Sequence, residues 1–391
     1  MTTMTARHAT LADLANLLTE QQARKVDMVV PSTQMGARDG VLTVRGADAL
    51  LGPDGVTTVD GRYLPTEMCQ EGIATKLNIP PSYLKRLFLD RPDLYDLTVN
   101  GWLHGSKPKR LVDGTTTQRF PADDRKFLVR GFRPDSGEDL GVARAFLSDS
   151  YRVMDNLDAL TAALDGIKEA GVEVEFAGCD LSERRMTVKV VAPAVQALAP
   201  GLLKNYRSPF NGKNGTDCPT VFAGFILSNS ETGGGAFTLI PRLTVEVCSN
   251  GMVVSKDAMR AVHLGGKMDE GLIRWSDETQ QKTVELIRLK TRDAVATFLD
   301  VDYMEKVIAR VEKQATKEVT DGAAAIEFIS KKSAFTQAEQ AGILFHFVRG
   351  GQMTVGGVFN SVTAMAQTVT DADRAYEMEM AGLKVLDLLT A

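Results

Sequence analysis

The chain has 391 residues, 44% apolar and 24% charged, and its 45 Lys and Arg against 50 Asp and Glu leave a net charge of −5. That length can bury a large core, in two or three domains or in one elaborated domain. The acidic balance excludes a global attraction to nucleic acid or anionic membrane, so any polyanion contact must come from a local patch.

No apolar run approaches the ~18 residues of a membrane helix, and the N-terminus lacks the long apolar stretch of a secretory signal. Cys69, Cys179, Cys218 and Cys248 are widely spaced with no CxxC pair. Reduced cytoplasmic thiols are therefore expected, rather than a zinc site or a disulfide framework. The expectation is a cytoplasmic protein with no membrane, metal or cofactor.

Leu11, Leu14, Leu17 and Leu18 recur at helical spacing and predict an N-terminal helix docked on the body or on a neighbouring subunit. Residues 31–60 read as a small hairpin or a flexible arm, which sets 1–60 apart as an N-terminal unit. Thr66 heads a helix, and Leu77 to Leu84 holds a break after which Pro81 or Ser82 starts a second one. A DNA-binding helix-turn-helix and an ordinary small bundle both fit this break.

Strands are predicted around Leu97–Val99 and Phe127–Arg130, and between them lies the most basic window of the chain. From Leu103 to Arg133 eight cations (Lys107, Lys109, Arg110, Arg119, Arg125, Lys126, Arg130 and Arg133) stand against three aspartates, Asp113, Asp123 and Asp124. Trp102, Phe120, Phe127 and Phe132 are interleaved. The window reads as a surface for phosphates and bases, or as a solvated loop whose aromatics enter the core.

Asp155 or Asn156 can cap a helix carrying Leu157, Leu160, Leu164 and Ile167, closed by Gly171. A hairpin over 172–177 and 186–192 follows. The loop from Gly201 to Asp217 is again basic and aromatic, with Lys204, Tyr206, Arg207, Phe210 and Lys213.

The strongest pattern runs from Pro219 to Val254. Val221, Phe222, Phe225, Ile226 and Leu227 make one strand, with Gly224 thinning its middle. After the polar turn 228–235, Phe237, Leu239, Leu243, Val245 and Val247 alternate with Thr238, Ile240, Arg242, Thr244 and Glu246. That period of two predicts a half-buried antiparallel strand. Pro241 cannot donate to a ladder and marks an edge or a bulge. Asn250-Gly251 is a second tight turn, so this stretch is a β-meander.

From Asp277 to Lys317 the chain reads as helix, broken at Leu299–Asp302. Thr336 and Glu339 form a capping box before another helix stopped by Gly350-Gly351. Two last helices cover 355–367 and 371–389. The predicted class is α+β, a central antiparallel β-meander with flanking helices and an all-helical C-terminal third. Residues 61–275 form the α+β core, and 276–391 a helical region that packs on it or forms an oligomer interface.

Signatures of known chemistry are missing. There is no P-loop, GxGxxG, GxSxG or HExxH, and His8, His104, His263 and His346 are not paired at metal-ligand spacing. Three blocks do carry a likeness: ARAFLSDSYRVMDN, FILSNSETGGGAFTLIPRLTVEVCSNGMVV and FNSVTAMAQTVTDADRAYEMEMAGLKVL. Together with ATKLNIPPSYLKRL and KFLVRGF they make residues 65–391 resemble the phage- and plasmid-like proteins named for domain of unknown function 932. The resemblance implies a mobile element, but it assigns no activity and no catalytic residue. Within it the matching positions that stand out are Arg144, Ser148, Tyr151, Asn229, Ser230, Glu231, Gly233, Arg242, Cys248, Asn250, Gly251, His263, Asn360 and Thr363.

Two functional expectations follow, from different classes. One is a single-stranded nucleic-acid-binding protein, with strand annealing suggested by a fold-level analogy to the Red-beta-like annealing proteins. Its contacts would come from Lys107, Lys109, Arg110, Arg130, Lys204, Tyr206, Arg207, Lys213, Arg242, Lys256, Arg260 and His263, and its partners would be single-stranded DNA and further copies of the chain. The other is a non-enzymatic structural or regulatory oligomer. A weaker third reading is a hydrolase or nuclease using Asp149, Asp155, Glu231 and His263.

Overall fold

A computed structural model describes residues 5–52, 55–57, 59–106, 109–110, 116–117, 120–135, 137–151, 153–208, 210–246, 251–253, 259–261 and 277–390. Strand β1 (Ala6–Ala9) leads into α1 (Leu11–Arg24), started by a capping box between Thr10 and Asp13. Then come β2 (Lys25–Pro31), β3 (Met35–Arg38), β4 (Val41–Val44), the small hairpin β5 (Leu50–Gly52) and β6 (Gly55–Thr57), and β7 (Gly61–Pro65). Helices α2 (Glu67–Lys76), α3 (Pro81–Asp90) and α4 (Pro92–His104) precede the short pair β8 (Lys109–Arg110) and β9 (Thr116–Thr117). After them run β10 (Lys126–Phe132) and β11 (Leu140–Ser148).

These strands make a six-stranded mixed sheet in the order β2-β10-β11-β7-β4-β3, with β7 and β11 parallel. Its apolar side carries Val26, Met28 and Val30 of β2, which alternate with polar or exposed neighbours as a one-sided strand requires. Ile73 of α2, Leu84 and Leu87 of α3, and Tyr95, Val99 and Leu103 of α4 pack in the same core. The break between α2 and α3 thus takes its small-bundle form, both helices turning apolar faces inward. The strand expected at Leu97–Val99 is helix instead. Pro92 at its first turn and the four-residue recurrence Tyr95-Val99-Leu103 outweigh the strand propensity of a three-residue run.

The second half supplies α5 (Asn156–Ala170), β12 (Glu175–Leu181), β13 (Met186–Leu198), α6 (Pro200–Leu203), β14 (Thr220–Asn229), β15 (Phe237–Val245), β16 (Gly251–Val253) and β17 (Met259–Ala261). Its seven-stranded antiparallel sheet runs β1-β12-β13-β14-β15-β16, with β17 also paired to β15. The meander read from the sequence is there, as is the left-handed Gly171 that closes α5. Pro241, expected at an edge or bulge, lies inside the sheet in register with Phe225. On its other side β16 pairs with Arg242–Thr244 and β17 with Phe237–Leu239, so Pro241 falls in the gap between them.

Gly224 faces Val191 on one side and Arg242 on the other, and a Cβ there would stand 2.1 Å from the Val190 carbonyl oxygen. Gly224→Ala must separate the two central strands. We expect it to lower the unfolding free energy by about 2 kcal/mol, read from the midpoint of urea unfolding. A change under about 0.5 kcal/mol would contradict this.

Helices α7 (Asp277–Phe298), α8 (Val301–Ala315), α9 (Gly322–Lys332), α10 (Gln337–Gly350), α11 (Val355–Thr368) and α12 (Ala372–Thr390) complete the chain. The expected break falls between α7 and α8, where the Asp300 carboxylate caps the Tyr303 N–H at 2.9 Å. Helix α9 has no counterpart in the sequence expectation. Together with α5 and α1, the helices share one core with the seven-stranded sheet, through Leu14, Leu160, Phe225, Phe298, Met304 and Phe359 among others. On the sheet's other face, Ile226 and Ile240 pack under Tyr376 of α12. Both sides of β15 are therefore buried, where the alternation predicts a half-buried strand.

The expected boundary at residue 60 needs correcting. β1 belongs to the seven-stranded sheet and β2 to the six-stranded one. Residues 1–60 are thus no separate arm: β1 lies in one sheet and β2, β3 and β4 in the other, while β5 and β6 make a small hairpin of their own. The C-terminal helices share the core of the central sheet. Among the described residues, no helix is long and apolar enough to cross a membrane.

The α10 capping box also ties helix to helix. Both carboxylate oxygens of Glu339 accept from Arg374 of α12 at 2.7 Å, and one also accepts from the Thr336 N–H. The Arg374 hydrogen bonds outweigh the opposing cost of burial and lower Glu339 to a pKa of about 2. A depressed carboxylate stabilises the fold above its unfolded value and loses that contribution as pH falls. Glu339→Gln should therefore cost about 2 kcal/mol at pH 7, and that cost should shrink as pH falls from about 5 toward 2. Urea unfolding of both proteins at pH 7 and at about pH 3 checks it; an equal difference at the two pH values would refute the linkage.

Candidate nucleic-acid interface

Nine of the twelve expected contacts fall among the described residues. Arg130, Tyr206 and Arg242 are buried, so these three cannot meet a polymer at the surface, which corrects the expectation. Each lies on a strand, or just after a helix, that turns it into the protein. Lys107, Lys256 and His263 lie outside the described residues, and of Lys109, Arg110 and Arg260 only the backbone is described, in β8 and β17. Lys204, Arg207 and Lys213 remain, all exposed on one loop.

That loop is an ordered small hairpin. Arg207 bridges Asn214, the Ser208 N–H donates to the Lys213 carbonyl at 2.9 Å, and the Gly212 N–H returns to the Ser208 carbonyl at 3.0 Å. The Ser208 hydroxyl accepts from the Phe210 and Asn211 N–H groups at 3.3 and 3.4 Å, holding the tip as a serine turn. Gly212 takes φ +72°, a left-handed conformation that suits glycine.

The base of the hairpin is clamped to the C-terminal end of α10. The Arg207 N–H donates to the Gly350 carbonyl at 2.9 Å, and the Gln352 amide donates to the Leu202 carbonyl at 2.8 Å. Tyr206 is the anchor of this clamp. Its ring lies against Gly350, at 3.5 Å from where a Cβ would stand.

Clamping sets Phe210, which is 48% exposed, beside α10. Its ring centroid lies 5.9 Å from that of His346, which lies 5.6 Å from Phe345, itself 55% exposed. The Arg349 guanidinium sits 5.4 Å from the Phe345 centroid, within cation–π range. Burial, aided by the Arg349 charge, lowers the His346 pKa, so the imidazole is neutral at pH 7. The result is two exposed rings, Phe210 and Phe345, packed on the buried His346 ring, with Arg349 over Phe345 and with Lys204, Arg207 and Lys213 exposed on the hairpin that carries Phe210. Nearby on the same helix side, Leu344 and Val348 are also exposed.

Sequence reasoning misses Phe345, His346 and Arg349. The available signal is apolar residues on both sides of one helix: Ile343 and Phe347 face the core, while Leu344, Phe345 and Val348 do not.

The residues around Glu231 gather at a second place, where the two sheets meet. Arg130 donates to both Asp27 oxygens at 2.9 and 3.0 Å, to Asp155 at 2.6 Å and to the Glu231 carbonyl at 3.1 Å. Lys25 takes the other Asp155 oxygen. Glu231 accepts from Arg144 at 2.8 Å and from the Asn156 N–H at 2.5 Å. Asn229 donates to Asn156 and to the Met154 carbonyl, both at 2.9 Å. Burial opposes the Asp155 charge, but Arg130 and Lys25 outweigh it and lower its pKa.

Three cations thus balance three carboxylates, and all six carboxylate oxygens are engaged. Asp149, by contrast, is exposed. The arrangement joins the sheets, and Asp155 and Glu231 are already committed to it. Among the described residues no cluster of His, Cys, Asp and Glu is set to hold a metal ion. Compared with known proteins, the chain matches no family model, no curated protein and no solved structure.

Proposed function

We propose that this chain binds single-stranded nucleic acid, along the surface made by the 204–213 hairpin and the outer side of α10. The observation that carries this reading is the pair of exposed rings Phe210 and Phe345, joined through the buried His346, with Arg349 over Phe345 and exposed cations on the same hairpin as Phe210. Bases stack on such rings whatever their identity, while lysine and arginine neutralise phosphates. A clamped hairpin also presents its ring with little ordering cost on binding. The strand would be read for shape and charge, not sequence; the resemblance of residues 65–391 suggests a phage- or plasmid-like element as the setting, and strand annealing rests on the fold-level analogy.

The test is fluorescence anisotropy with a labelled thymidine oligonucleotide across salt concentrations. Affinity should fall steeply between about 50 and 200 mM salt. Absence of binding, or an affinity indifferent to salt, would refute the reading.

A second reading, an oligomer built through the C-terminal helices, draws on one observation. Val348 is 71% exposed and Met353 51%, more apolar surface than an isolated helix face needs. Light scattering with and without the oligonucleotide separates the two. Assembly without DNA, with no uptake of DNA, favours the oligomer alone.

A further inference from the structure

Arg242 sits in the middle of β15 with only 4% of its surface exposed, on the sheet face covered by α12. Its cross-strand neighbour in β14 is Gly224, which brings no side chain to it. Its Nε and Nη1 atoms are buried with no acceptor among the described residues. Thr244, two residues along and therefore on the same face, has a buried hydroxyl likewise without a partner among them. Among the described residues the opposing charge that acts on it is Glu379 of α12, which spends one oxygen on Lys189 at 2.6 Å and leaves the other without a hydrogen-bond partner.

The described charges on this face do not balance. Lys189, Arg185 and Arg242 supply three cations and Glu379 and Asp373 two carboxylates, while Asp180, on the same face through β12, is already balanced by Arg7. The pairs Lys189–Glu379 and Arg185–Asp373 cancel, and Arg242 is left over. An isolated buried guanidinium is costly, and arginine does not escape the cost by losing its proton. The contrast with Arg130 is direct, since that equally buried arginine reaches two carboxylates and a carbonyl.

We propose that Arg242, with the Thr244 hydroxyl beside it, forms a buried site for a small free oxyanion, inorganic phosphate or sulfate. The planar guanidinium offers Nε and Nη1 as donors to the anion's oxygens, and the threonine offers a third. The bound anion's negative charge offsets the cation left over on this face. At 4% exposure the site suits a free ion and not a polymer backbone. The inference is independent of the hairpin and α10 surface, and neither depends on the other.

The experiment uses the full chain and inorganic phosphate as the probe, against chloride at matched ionic strength. Phosphate stabilises most proteins weakly by exclusion, so the comparison is with Arg242→Met. Wild type should show a saturable rise in unfolding temperature of about 3 °C or more, and Arg242→Met only the small unsaturable rise. Without phosphate, Arg242→Met should be at least as stable as wild type, because an unpaired charge has gone. If that variant does not fold, Thr244→Val serves in its place and should raise the phosphate concentration needed for half the effect at least about threefold. A wild-type response no larger than the variant's would overturn the proposal; so would a thymidine oligonucleotide displacing the phosphate effect, which would reassign the source.

Discussion

Replacing Arg130 with methionine is expected to lower the unfolding free energy by about 3–5 kcal/mol, the range for breaking a buried ion pair from one side. The reason is what the substitution leaves behind. Asp155 is buried, and without Arg130 it keeps only Lys25; Asp27 loses both of its guanidinium bonds and the Glu231 carbonyl loses its donor. The four groups come from β2, β10, the segment before α5 and the turn after β14. The damage therefore falls on the joint between the sheets. Arg130→Lys should be nearly as harmful, because one ammonium cannot reproduce the two-oxygen grip on Asp27 together with the bond to Asp155. Urea unfolding followed by far-ultraviolet circular dichroism measures both. A loss under about 1 kcal/mol for Arg130→Met would mean that the cluster contributes no more than a surface pair.

Why the sequence misplaces that arginine is a matter of range. Charge counting over residues 103–133 treats every Lys and Arg as a surface group, because the residues that bury and pair them are not nearby. Arg130 meets Asp27 at a separation of 103 residues and the Glu231 carbonyl at 101. The period of two sets Arg242 opposite the Leu243 face, yet only the position of α12 makes that second face an interior. Local signals serve better where the physics is local. The Thr336–Glu339 capping box, the Asp300 cap between α7 and α8 and the left-handed Gly171 each arise within a few residues. The two strands around 228–235 are legible for the same reason. β13, which pairs with β14, and β12 beyond it are legible as a hairpin, but the addition of β1 from the far N-terminus is not. Of the proposed interface, the loop cations and Phe210 are visible as a basic, aromatic run. Phe345 and Arg349 join them only because the Arg207–Gly350 hydrogen bond brings α10 alongside.

That composite surface makes a prediction that separates charge from stacking. Lys204→Ala, Arg207→Ala and Lys213→Ala combined should flatten the dependence of log affinity on log salt by about 2, since each neutralised phosphate of a single strand adds ~0.7 to that slope. The side chains are exposed; Arg207→Ala removes one exposed bond, from Arg207 Nε to the Gly212 carbonyl at 3.2 Å, and the backbone and Ser208 bonds of the hairpin stay in place. Folding should thus be retained. Phe210→Ala should behave differently: a stacking platform contributes ~1–3 kcal/mol per base, so affinity should drop by about 5- to 150-fold with the salt slope unchanged. Phe345→Ala should do the same, and the two aromatic effects should be less than additive, since both rings pack against His346. Anisotropy titrations of the triple charge variant, the two single aromatic variants and their double measure all four effects. If the charge variant keeps the wild-type slope while Phe345→Ala and Phe210→Ala keep wild-type affinity, the strand does not lie on this surface. Light scattering of the same variants then decides whether the exposed side of α10 holds copies of the chain together instead.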